Sequence, residues 1–177
     1  MADHPADPNL DRLLRHMAWA NAALIARLTA LPDSALELAS PNNEWTAGRI
    51  LDHLVSAAGG YATRLEGGAR MAKAEPTTST TQLPALAERL AGFDARLRAQ
   101  GALPEGTAGY AGDPPEKMSN RSTVVAQAIH HATEHRAQIA GALSTNGVDA
   151  IDLDAIDLWE HEDAEGRAPA LAADSDS

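Results

Sequence analysis

The sequence contains no cysteine. Disulfides, thiolate metal sites and a cysteine nucleophile are therefore excluded, and any metal must be held by His, Asp, Glu or water. Aromatic residues are scarce at 3%, although 44% of the chain is hydrophobic. A core of Leu, Ala, Ile and Val follows, which suits close helix packing better than a β-sandwich. Basic residues are also in deficit, with 14 Lys and Arg against 25 Asp and Glu, for a net charge of −11. With no basic stretch to track phosphates, a nucleic-acid partner is not expected. No run of about 18 apolar residues occurs, so no membrane partner is expected either. The opening MADHPADPNLDRLL lacks the charged and apolar regions of a secretory signal, and the expectation is a soluble, cytoplasmic protein.

What is present is helical periodicity. Leu10, Leu13, Met17, Ala20, Leu24 and Leu28 recur at three- and four-residue intervals and predict a helix from Asn9 to Leu31, ended by Pro32. A second helix is predicted from Thr46 to Glu66, with Thr46 as N-cap, Trp45 as a staple against Ile50, and Ile50, His53, Leu54, Ala57, Tyr61 and Leu65 facing inward. A third runs from Gln82 to Gln100 on Leu86, Leu90, Phe93 and Leu97, and a fourth from Ser122 to Ser144. Four amphipathic helices predict an all-α, up-down-type four-helix bundle. At 177 residues the chain is expected to form one domain over 1–166, with a disordered polar tail over 167–177. Within that domain, residues 148–166 form an extension packing on or trailing from the bundle, with Leu153, Ile156 and Trp159 as its docking side chains. Its acidic run does not fit a calcium loop, because Asp157 stands where the turn needs glycine and Asp163 where a bidentate Glu is needed. The long connection over 101–120 is read as a cover over a site.

The fourth helix carries the chemistry. At ~100° per residue, Val124, Ala128, His131, His135, Ile139 and Ala142 fall on one inward stripe, so two imidazoles on adjacent turns point the same way. Such a pair reaches one metal ion, which still needs a ligand from elsewhere. His53, on the apolar stripe of the second helix, is the candidate. An imidazole there needs a buried partner or a ligand. Three histidines leave an open position for water or substrate, as catalytic sites do. Buried structural histidines are the competing reading. His16 lies at the margin of the first stripe and is read as a boundary residue. His130 lies off the fourth stripe and is read as an interface or exposed residue. Glu134 is a candidate base or orienting carboxylate, Gln138 a hydrogen-bonding neighbour and Arg136 an ion-pair partner. Gly60, one face-repeat past His53, is expected to leave room beside the site.

The segments AWAN (18–21), WTAGRILDHLV (45–55), HATEHRAQI (131–139) and DLWEHEDAEG (157–166) occur in the order found in the DinB-like (DinB/YfiT) superfamily, which the chain resembles over most of its length. The resemblance implies a four-helix bundle whose upstream His and HxxxH pair bind a divalent metal, nickel or zinc. These are His53, His131 and His135 here. Ala137 stands where the family often has Gly, and Glu134 where it often has His. Neither departure removes a ligand.

Characterised relatives include thiol-dependent transferases and isomerases that use mycothiol or bacillithiol. The resemblance therefore implies a metal-dependent enzyme acting on a small-molecule thiol and an electrophile, with a possible homodimer. The other class is a non-catalytic metal-binding or stress-associated protein. A remote third is a zinc hydrolase, since residues 131–135 spell HxxEH with Glu134 as the water-activating group.

Overall fold

The computed structural model describes residues 7–41, 44–72 and 76–166. The expected tail over 167–177, and Asn42 and Asn43 of the first connection, lie outside these residues. Helix α1 (Pro8–Thr29) starts where the Asp7 carboxylate accepts hydrogen bonds from the Asn9 and Leu10 amides, with Pro8 in the position that needs no donor. Thr46 caps α2 (Ala47–Leu65) by accepting from Arg49 N at 3.2 Å, as its sequence position predicted. Ser79 and Gln82 form a reciprocal capping box ahead of α3 (Leu83–Gly101). The fourth helix, α4, spans Arg121–Ser144. Two short strands, β1 (Thr107–Ala108) and β2 (Ser119–Asn120), pair antiparallel at the mouth of the α3–α4 connection.

The bundle is all-α as expected, but its helices are not arranged as a simple up-down sequence. Helix α1 packs on α3 and α4, and α2 packs on the same two helices. Arg98 near the end of α3 pairs with Asp11 near the start of α1 at 2.7 Å, so α1 and α3 are antiparallel. Arg64 of α2 reaches Ser119 just before α4, making α2 and α4 antiparallel. A Cβ at Gly59 would meet Phe93, while Arg96 bonds Thr63 and Glu66, so α2 and α3 run parallel. The order is up, down, down, up. A parallel α2–α3 pair requires a connection that returns the length of α2, about 28 Å for its 19 residues. Residues 66–82 are long enough at about 3.3 Å per residue. Thr77 anchors that return to Asp52 through its amide (2.8 Å) and hydroxyl (2.6 Å), and Thr80 anchors it to Asp33.

The core is built from Leu, Ile, Val and Ala, with Leu14, Leu24, Leu28, Ile50, Leu51 and Ile139 almost fully buried. Leu13, expected inside, sits at the exposed margin of α1 because Leu14 and Met17 take the inner positions. After α4 the chain turns at Gly147 (φ 79°), a conformation that favours glycine. It then returns along α1 and ends in α5 (Leu158–Glu165). Ile156 is buried there as expected, and its carbonyl bonds a His16 ring nitrogen at 2.9 Å. Trp159 is not a docking residue, being 76% exposed, and Leu153 is exposed as well. The reason is rotational: α5 turns His161 inward against His16 and Trp19, and a residue two positions earlier points to the opposite side.

Candidate metal centre

Antiparallel packing sets the second turn of α2 against the middle of α4, where His53, His131 and His135 meet. Their ligand-capable atoms all lie within 4.8 Å of one another. His131 Nε2 is 3.1 Å from His53 Nε2 and 3.0 Å from His135 Nε2. All three residues singled out from the sequence are thus brought together. The placement of His53 differs in one respect. The buried face of α2 is centred on Leu51, Leu54, Val55 and Ala58, leaving His53 half-buried at its edge.

The environment decides the protonation of these rings. His135 Nδ1 lies 2.7 Å from Gln138 Oε1, and Gln138 Nε2 donates to Glu134 Oε1 at 3.3 Å. The carboxylate orients the amide, and the amide oxygen requires a proton on His135 Nδ1. A neutral His135 therefore presents a lone pair at Nε2. Burial pushes His131 down to about 4, reinforced by the neighbouring His135 and His53 imidazoles. Burial also lowers His53, with His135 and the Arg49 guanidinium adding to the effect. Neutral rings are what a metal requires.

A ring nitrogen carries either one lone pair or one proton, so one linear hydrogen bond at His131 Nε2 serves only one of its two neighbours. A single cation would be served by all three. Three nitrogens at about 2.1 Å from one ion lie roughly 3.0–3.4 Å apart, which matches the two contacts made by His131. The donor set fits a borderline ion such as zinc or nickel.

A cleft of about 580 Å³ opens beside His53. Leu36, Trp45, Arg49, Asp52 and Thr77 form much of its lining, and Trp45 turns its ring edge-on to His53 at 5.1 Å between centroids. The wall opposite α2 comes from 76–78, the returning connection, and not from 101–120 as expected. The latter segment instead brings Tyr110 over α2, where its hydroxyl donates to Gly60 O at 3.2 Å. Gly60 and Tyr110 line a second cleft, of about 540 Å³, whose lining includes none of the three histidines.

A protein-family model described as the DinB family matches residues 2–167. The chain belongs to the DinB family. Searches of curated proteins and of solved structures found no match. The metal association typical of DinB proteins agrees with the three-histidine group in this one.

Other residues of this DinB-family chain settle as follows. Glu134 is exposed and bonds Gln138, two links from the ring nitrogens. His130 is exposed, and His16 is a half-buried boundary residue bonded to Ile156 O. Arg136, read as an ion-pair residue, is buried at 3% exposure and donates to Asn21 Oδ1 (2.8 Å) and Thr133 Oγ1 (3.0 Å). Asn21 in turn donates to Asp94 Oδ2 at 3.0 Å. Burial raises Asp94 to about 6, against the opposing Asn21 bond and Arg136 charge, and lowers Arg136 to about 10. Asn21 and Asp94 were not singled out from the sequence. Their signal was there: Asn21 shares the spacing of Met17, Leu24 and Leu28, and Asp94 lies four residues after Leu90.

Proposed function

We propose that His53, His131 and His135 bind one divalent ion, zinc or nickel, and that the protein is a metal-dependent enzyme of the thiol-dependent transferase or isomerase type. The observation that carries this reading is the convergence of three Nε2 atoms beside an open cleft. A bound divalent ion supplies Lewis acidity and lowers the pKa of a coordinated thiol or water, giving a nucleophile at neutral pH.

The chain's own residues supply the rest. Gln138 holds His135 in the tautomer that directs Nε2 toward the cluster. Leu36, Trp45 and Pro76 give the cleft an apolar wall that limits water around a bound electrophile. Arg49 stacks on Trp45, 4.5 Å from the ring centroid, and places a positive charge at the cleft for an anionic group on either substrate. Glu134 has no direct contact with the cluster, which argues against the HxxEH hydrolase reading.

The test is turnover of an electrophilic probe with mycothiol or bacillithiol, using Zn²⁺- or Ni²⁺-loaded protein. Thiol- and metal-dependent turnover that disappears in His53→Ala supports the enzyme. Stoichiometric metal without turnover across thiols and electrophiles would leave a non-catalytic metal-binding protein instead. Glu134→Gln is expected to retain both metal and turnover, whereas a hydrolase would lose its activity.

A further inference from the structure

In a chain with 25 acidic and 14 basic residues, the second cleft is lined by two arginines and no acid. Arg70 reaches it from the α2–α3 connection and Arg89 from α3. The cleft beside His53 differs, since Glu37 and Asp52 share it with Arg49. The two guanidiniums of the second cleft are not equivalent. Arg70 lies over the Tyr110 ring, 4.1 Å from its centroid, and donates to Asp113 Oδ1 at 3.0 Å. The Tyr110 amide donates to Asp113 Oδ2 at 3.0 Å, and together with Arg70 it holds this carboxyl below the usual carboxylate range. Arg70 is thus balanced in charge and fixed in place. Arg89 is exposed and has neither hydrogen bond nor ion pair among the described residues. Its helical neighbours three and four positions away are Ala85, Leu86, Gly92 and Phe93, so no acid on that face of α3 serves it. One positive charge is left over. It matches a single carboxylate and falls short of a phosphate dianion.

The rest of the cleft is suited to an apolar body. The long connection before α4 is tied over α2 by the Tyr110 hydroxyl on Gly60 O and by the Ala111 amide on Gly68 O at 2.9 Å. Gly60 leaves the floor there without a side chain. Met71 adds an apolar side chain to the lining and is 45% exposed. A volume of about 540 Å³ lies within the range of small-molecule sites, which combine apolar walls with a few polar groups. We propose that this cleft binds a small carboxylic acid with an apolar or aromatic body, its carboxylate on Arg89 and its body against Met71 and Tyr110. Ser56, on the α2 side, offers a hydroxyl donor to the same ligand. The connection over 101–120 therefore does cover a site, one that is separate from the histidines and does not rest on a metal.

The test is isothermal titration of the full-length, chelator-treated protein with 2-naphthoate and with its uncharged counterpart, 2-naphthamide. Amide ¹H–¹⁵N spectra locate the site. Naphthoate is expected to saturate, to shift the Gly60, Met71 and Tyr110 amides, and to bind about 10-fold or more tightly than naphthamide. Arg89→Gln changes an exposed residue and should fold normally. It is expected to weaken naphthoate about 10-fold while leaving naphthamide unchanged. Arg49→Gln, in the other cleft, is expected to leave naphthoate binding as it is. Absence of saturation, equal binding of acid and amide, or shifts centred on Trp45 and Arg49 overturns the proposal. A folded Arg89→Gln protein with the wild-type affinity for naphthoate does so too. Tighter binding of 2-naphthyl phosphate than of naphthoate overturns the assignment to a carboxylic acid.

Discussion

Single side chains set the donor state of the cluster, and Gln138 is the most direct case. Replacing it with Leu removes the acceptor on His135 Nδ1 and is expected to weaken metal binding about 10-fold, measured by competition with a chromophoric chelator. An unchanged affinity would mean that His135 needs no help. The same neutral rings make stability depend on pH. His131 is depressed to about 4 in the fold, and His53, His16 and His161 are also lowered. Below the ordinary histidine value the unfolded chain takes up protons that the fold refuses. Stability is therefore present above about pH 6.5 and is lost as pH falls toward 4. Asp94, raised to about 6, acts with the opposite sign: its contribution is present below the ordinary carboxylate value and is lost as pH rises to 6. Metal-free protein should show a urea midpoint that falls from pH 6.5 to 4, and the fall should steepen in Asp94→Asn. A flat profile would contradict the buried neutral rings. The histidines were legible in the sequence because imidazole on an apolar stripe is unusual and their spacing is local. Asp94 was harder to find, since its partners lie 73 and 42 positions away and no local pattern joins the three helices.

At the scale of the helix, the adjacent glycines of α2 test its packing. A Cβ at Gly59 would come within 2.8 Å of the Phe93 ring and 2.9 Å of Met71 Sδ, whereas one at Gly60 would meet only Tyr110 Oη at 3.3 Å. Gly59→Ala is expected to cost about 1–3 kcal/mol through overpacking. For Gly60→Ala, displacement of Tyr110 is offset by a gain in helix propensity of about 1 kcal/mol, and stability should change little. Denaturant unfolding distinguishes the two, and equal effects would contradict the parallel packing of α2 on α3. Helix positions were readable because a 3.6-residue period and an N-cap are local properties. The parallel α2–α3 pair was not, because direction depends on where a connection travels. Thr77 and Thr80 fix that route, and their partners Asp52 and Asp33 carry no local sign of the bond. The same route explains why the cleft wall comes from 76–78 and not from 101–120. Trp159 was misplaced for a rotational reason: in so short a helix, burying His161 leaves the opposite side to solvent.

Across the whole molecule, the arrangement up, down, down, up lets α2 and α4 face each other antiparallel, with the antiparallel α1–α3 pair packed against them. That frame brings residues 53 and 131 together and closes the core beneath them. A metal bound by both helices favours the folded state, so at a free concentration of 100 times its dissociation constant it should add about 2.7 kcal/mol. The thermal midpoint should rise accordingly with Zn²⁺ or Ni²⁺, and the rise should vanish in His131→Ala. The most direct measurement is metal content by plasma mass spectrometry on tag-free protein, with wild type beside His53→Ala and His131→Ala. About one equivalent of zinc or nickel in the wild type, lost in both variants while their helix content is unchanged, is the expected result. No metal in the wild type after incubation with Zn²⁺ and Ni²⁺, or full occupancy in either variant, would contradict the three-histidine centre.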